Sequence, residues 1–124
     1  MRTAAQRAGD DAEARVATHL TSLGWRVLGL HVRVGRAEID ILAVDPGPPA
    51  TLVVVEVRWR ARRDFGLPEE TVDHRKRAHL RGAGFAVRDA GRLADGLAIP
   101  HLPLRFDLVV VEPGDRLRHH RYGA

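Results

Sequence analysis

The chain has no cysteine, a single lysine, a single methionine and an aromatic content of 5%. Without cysteine there can be no disulfide framework, thiol nucleophile, zinc ribbon or iron–sulfur centre. No apolar run approaches the ~20 residues that cross a bilayer; the longest, around Leu52–Val55, is strand-sized. The stretch from Met1 to Arg7 leads into Asp10 and Asp11 with no apolar core, so no secretory signal is expected. There is no Gly-rich phosphate loop and no G-x-S-x-G elbow. These absences leave a soluble, cytoplasmic protein, not bound to a membrane, as the expectation.

What is present suits one globular domain spanning residues 1–124. Hydrophobic residues make up 44% and charged residues 29%, an ordinary folded balance. Such a chain buries roughly two-thirds of its unfolded surface. Twenty basic residues face sixteen acidic ones, for a net charge of +4, and every basic residue except Lys76 is arginine. Arginine grips phosphate bidentately, so the excess permits a nucleic-acid partner; a GC-rich genome would produce the same bias.

Apolar spacing predicts a helix from Ala12 to Leu23, through Val16, Ala17 and Leu20, stopped by Gly24. Strands are predicted over Trp25–Arg33, Ala37–Val44 and Leu52–Arg60, the last two forming a hairpin around the proline-rich loop at Asp45–Pro49. A second helix is expected from Pro68, with Glu69 and Glu70 in its first turn, to about Asp89, weakened by Gly82 and Gly84. Leu104–Glu112 reads as a buried fourth strand and Arg116–Tyr122 as a short fifth. The order αβββαβ(β) predicts an α/β fold with a mixed central sheet flanked by helices.

Several acids occupy places where a purely structural design would put something apolar. Glu38 and Asp40 lie two apart in the second strand, so regular pleating puts them on one face with Ile39 and Ile41 on the other. Glu56 interrupts a valine run in the third strand, and Glu13 falls on the apolar stripe of the first helix. Each alone reads more simply as a solvated residue. Together, an acid in one strand followed by Glu-x-basic (Glu56-Val57-Arg58) in its hairpin partner resembles the PD-(D/E)xK nuclease core. Carboxylates on adjacent strands can converge on Mg2+, which takes oxygen ligands in an octahedron. The metal polarises a phosphodiester and acidifies the attacking water, and a basic group on the same strand face can steady the phosphate.

The wider sequence resembles the YraN-like family of small bacterial proteins, whose fold is restriction-endonuclease-like and related to Holliday-junction resolvases. Five blocks carry the likeness in order. They are Glu13 with Leu20 and Gly24-Trp25; Arg33 with Ala37-Glu38-Ile39-Asp40-Ile41-Leu42-Ala43; Leu52 to Arg58; Phe65-Gly66-x-Pro68 with Val72, Arg75-Lys76 and Leu80; and Arg105-Phe106-Asp107-Leu108-Val109. The resemblance implies Glu13, Asp40 and Glu56 as ligands of Mg2+ or Mn2+ and places Arg58 at the family's lysine. Arginine stays protonated and cannot serve as a base. It implies an endonuclease acting on DNA, branched or duplex, with activity weakened by Arg58. The alternative is an inactive DNA-binding or scaffold module on the same fold.

Lys76, on the inner stripe of the second helix, could reach the same pocket and compensate; the simpler reading is a lysine whose head reaches solvent. Arg60, Arg62 and Arg63 extend a basic stripe beyond Arg58 that could track a phosphate backbone, or else defend a sheet edge. Asp107 is expected to pair structurally with Arg105, and Trp25 and Trp59 to serve as core or sheet-face residues. The seven histidines are scattered, and His119-His120 has no third ligand at metal spacing. Recognition of a branched substrate would favour a homodimer.

Overall fold

The structure, a computed structural model, describes residues 3–60 and 74–121. Arg62, Arg63, Phe65, Gly66, Pro68, Glu69, Glu70, Val72 and Tyr122, which carried several expectations, lie outside the described residues.

The first helix, α1, spans Ala4–Ser22 and so starts well before the expected Ala12. Capping chemistry, rather than apolar spacing, sets its beginning. The Gln6 N–H donates to Thr3 Oγ1 at 3.1 Å, and the Thr3 N–H donates to Gln6 Oε1 at 2.7 Å. This reciprocal box satisfies two donors that would otherwise be orphaned. The helix ends at Leu23, and Gly24, with φ of 87°, turns the chain into the sheet.

Among the described residues, five strands follow the expected order: β1 (Arg26–Val34), β2 (Ala37–Asp45), β3 (Thr51–Trp59), β4 (Leu104–Glu112) and β5 (Arg116–Arg121), with a second helix, α2 (His74–Ala90), between β3 and β4. They form one sheet in the order β1-β2-β3-β4-β5. Only the β3–β4 pair is parallel, and α2 lies in the crossover joining those two strands. The expected α/β fold with a mixed sheet is therefore present.

The two sheet faces carry separate cores. On one, Ala12, Val16 and Leu20 of α1 pack against Trp25, Ile41, Ala43, Val53, Val55, Val109 and Val111. On the other, Leu80, Ala83 and Val87 of α2 cover Leu28, Val32, Ile39, Leu42, Leu52, Val54 and Phe106. Gly84 lets α2 approach closely, since a Cβ there would meet Val54 Cγ2 at 2.9 Å and Leu104 Cδ2 at 3.0 Å.

One expectation about β2 is overturned. Ile39 and Ile41 do not share a face: Ile39 packs under α2 and Ile41 under α1. The pleat is interrupted between them. His31, which lies opposite Asp40 between the pairs Leu30↔Ile41 and Val32↔Ile39, has a φ of 50°. The β2–β3 ladder also begins only at Ile41↔Val55, one step after Asp40 and Glu56. A left-handed residue on the neighbouring strand and a missing ladder step break the two-residue period on which the expectation rested.

Asp107 is structural, as expected. Its side chain is wholly buried, and Arg105 grips it through Nε and Nη2 at 2.9 and 3.0 Å. Arg105 also donates to Asp45 at 3.0 Å, and His119 Nε2 lies 2.8 Å from Asp107 Oδ2. Burial alone would raise the Asp45 pKa, but the Gly47 N–H and Arg105 outweigh it and hold the carboxyl below its usual range. Trp25 is a core residue, whereas Trp59, at the end of β3, is 39% exposed.

Candidate functional site

The interrupted end of the β2–β3 ladder gathers the acids singled out in the sequence. With the ladder step missing, the Val57 N–H donates instead to Asp40 Oδ2 at 2.9 Å. Asp40 Oδ2 thus does the work of a backbone carbonyl. Glu56 follows Leu52 and Val54 to the α2 face and is buried, at 7% exposure. There Lys76 Nζ lies 2.6 Å from Glu56 Oε1, and Arg58 Nη2 lies 3.3 Å from the same oxygen. The head of Lys76 is thus held by a buried carboxylate although its side chain remains half exposed.

Glu13 approaches from α1, in the turn after Ala12 and before Val16, both buried. Its Oε2 is shielded from solvent and lies 2.6 Å from His31 Nε2, yet the two atoms do not align as a hydrogen bond. His31 Nδ1 is 3.1 Å from Glu38 Oε1, and Asp10 Oδ1 is 4.0 Å from His31 Nε2. Among the described residues, Asp10, Glu13 and His31 form a set whose ligand atoms all lie within 4.8 Å of one another. Asp40 and Glu56 are outside that set.

Electrostatics join the two groups. Burial, and then the neighbouring Asp40 carboxylate, push the Glu13 pKa up to about 7. Burial also raises Asp40, with Glu56 adding to the rise, while the Val57 N–H, Lys76 and His31 oppose it. The hydrogen bond to Glu38 heads the causes that raise His31, and Glu13 and Asp10 add to it. Carboxylates crowded until they resist ionisation mark a place where a divalent cation would be welcome. Glu13, Asp40 and Glu56 offer the hard oxygen donors that suit Mg2+ or Mn2+, and of the three Glu13 alone belongs to the set whose ligand atoms already lie within 4.8 Å among the described residues.

Of the residues picked from sequence, Glu13, Asp40, Glu56, Arg58 and Lys76 are brought into one electrostatic neighbourhood. Arg60 is just past β3, its N–H donating to the Val111 carbonyl at 2.9 Å. Arg62 and Arg63 of the basic stripe lie outside the described residues. Sequence reasoning passed over Asp10 and His31. Asp10 and Glu13 stand three apart on one helix, a local signal, but His31 joins them only through tertiary structure.

The model of the Uncharacterised protein family UPF0102 matches residues 12–111, a span that takes in both helices' buried stripes and β1 to β4. A UPF0102 protein of Symbiobacterium thermophilum is 40% identical over 109 residues, covering 88% of this chain and 85% of its own. One from a Caulobacter species is 36% identical over 116 residues, covering 94% and 76% respectively. A third, from Deinococcus radiodurans, is 35% identical over 106 residues, covering 84% and 79%. The ordered sequence blocks, the mixed sheet flanked by two helices and this match agree: the chain belongs to the UPF0102, or YraN-like, family.

Proposed function

We propose that this protein binds DNA and is a divalent-metal-dependent endonuclease of the PD-(D/E)xK type. One observation carries the reading: Asp40 and Glu56 lie just beyond the open end of the β2–β3 ladder and interact electrostatically, with Lys76 from α2 held on Glu56. Glu13, Asp40 and Glu56 are the residues that would hold Mg2+ or Mn2+. The bound ion would polarise the phosphodiester and make its water a nucleophile at neutral pH.

The chain's own residues perform the remaining tasks. The Val57 N–H fixes the Asp40 carboxylate, so a ligand oxygen is oriented by the main chain rather than by a rotamer. Lys76 and Arg58 balance the buried charge of Glu56. Arg58 supplies a permanent positive charge where a phosphate would sit, and it cannot take a proton from water. Lys76 is the group in this neighbourhood able to donate hydrogen bonds as a compact ammonium. The net charge of +4 favours approach of a polyanion.

A second reading has its own observation. Two cations already share Glu56 Oε1, so an arriving metal ion must compete with them. That arrangement fits slow hydrolysis, or a DNA-binding module in which hydrolysis has been lost. Cleavage of four-way-junction, duplex and single-stranded DNA with Mg2+, with Mn2+ and with EDTA decides between them. Metal-dependent cleavage that Asp40→Asn abolishes supports the nuclease. Cleavage unaffected by Asp40→Asn overturns it, and binding without cleavage establishes the module.

A further inference from the structure

We propose that Asp10, Glu13 and His31 form a second cation site, separate from Asp40 and Glu56, that takes a first-row transition ion such as Mn2+ in preference to Mg2+.

The separations suit an octahedral ion. Cis and trans ligands at bonds of ~2.1 Å stand about 3 Å and about 4.2 Å apart. His31 Nε2 lies 2.6 Å from Glu13 Oε2 and 4.0 Å from Asp10 Oδ1. Small side-chain rotations would bring all three onto one ion without moving the backbone.

Two further features point to a ligand. The first is the Glu13–His31 contact itself. Oε2 is closed off from solvent and has no hydrogen bond, although a ring nitrogen stands beside it. A buried oxygen and an imidazole nitrogen facing each other out of hydrogen-bond alignment are well placed to share a cation. The second is the other side of the ring. His31 Nδ1 is 3.1 Å from Glu38 Oε1, a partner that can hold a proton on Nδ1 and leave the Nε2 lone pair to a cation. Metal-bound histidines are held this way by a carboxylate behind the ring. The left-handed φ of His31, 50°, holds the side chain at this point.

The donor set determines the class of ion. One imidazole and two carboxylates offer nitrogen as well as hard oxygen, which favours Mn2+ and its neighbours over Mg2+. Two carboxylates and a neutral imidazole also cancel the charge of a divalent ion. Glu13 offers Oε2 here and has a second oxygen, so it could serve both this site and the one proposed above. The new site needs neither Asp40 nor Glu56.

The test is a Mn2+ titration of the whole protein followed by electron paramagnetic resonance, in which free Mn2+ gives a signal that is lost on binding. The Asp40→Asn variant removes a ligand of the first site and is expected to keep one Mn2+. Adding His31→Ala to it should weaken that binding at least tenfold, as should adding Asp10→Asn at a partly exposed helix position. Equimolar Mg2+ should not displace the ion. Full-strength binding in both added variants, or equal displacement by Mg2+, overturns the proposal. Circular dichroism confirms that each variant is folded, and Asp10→Asn decides the matter if His31→Ala is not. Failure of the nuclease reading would appear instead as absent cleavage, with the His31-dependent ion still bound.

Discussion

Lys76 Nζ sits 2.6 Å from Oε1 of Glu56, a salt bridge that runs from the surface of α2 to a carboxylate buried in β3. Glu56 is only 7% exposed, and burying a carboxylate without such a partner is costly. Arg58, two residues along the same strand, reaches the same oxygen at 3.3 Å. The two cations differ in kind. Arg58 is fixed beside Glu56 by its strand, whereas Lys76 arrives from another layer of the fold.

Their removal should therefore have different effects. Lys76→Met is expected to tighten divalent-ion binding, because Glu56 loses a competitor, and to reduce DNA cleavage. Arg58→Lys should tighten ion binding and raise cleavage, and Asp40→Asn in that background should abolish the gain. Calorimetric Mg2+ titrations beside cleavage rates check both. Cleavage in Lys76→Met equal to that of the native protein would remove Lys76 from the reaction.

Stability should fall as pH rises from about 4.5 to about 7 in the metal-free protein. Glu13 has an ordinary pKa of 4.5 and a folded one of about 7, so between those values the folded state holds the proton more tightly than the unfolded chain. Its contribution is complete below 4.5 and is lost by about 7. Asp40 and His31, both raised, act in the same direction. Urea unfolding at pH 5.5 and pH 8 should give the higher midpoint at pH 5.5, and Glu13→Gln should narrow the difference. A variant with the same pH dependence as the native protein would contradict this account.

Two glycines in α2 should respond oppositely to alanine. Around Gly82 a Cβ meets nothing within 4 Å, so Gly82→Ala is expected to stabilise by about 0.5–1 kcal/mol. At Gly84 the added carbon would press on Val54 and Leu104. Gly84→Ala should destabilise by about 1–3 kcal/mol, as overpacking does. Thermal unfolding of the two variants measures both signs.

Asp107→Ala should destabilise by about 3–5 kcal/mol, the cost of breaking a buried ion pair from one side. Arg105 would keep Asp45, but His119 and the bidentate half of the Arg105 contact would lose their acceptor. Denaturant unfolding checks the size. A change below 1 kcal/mol would mean that the network is solvated enough to reorganise.

Much of the fold follows from sequence because its causes are local. Apolar period, proline placement and β-branched runs locate every strand, and β4 lies at Leu104–Glu112 as its buried run implies. Helix α1 is the exception at its start: the polar Thr3–Gln6 box, not the apolar stripe, sets where it begins. Asp40, Glu56 and Glu13 are legible as acids in apolar settings, and strand and helix spacing suffice to single them out. Tertiary structure alone decides the rest. The broken pleat opposite His31 sends Ile39 and Ile41 to different cores, because strand parity holds only while the backbone stays extended. It also brings His31 to Glu13 across 18 positions of sequence at 2.6 Å, and Lys76 to Glu56 from a separate layer. No local period encodes a contact between elements; packing of both helices against one sheet does.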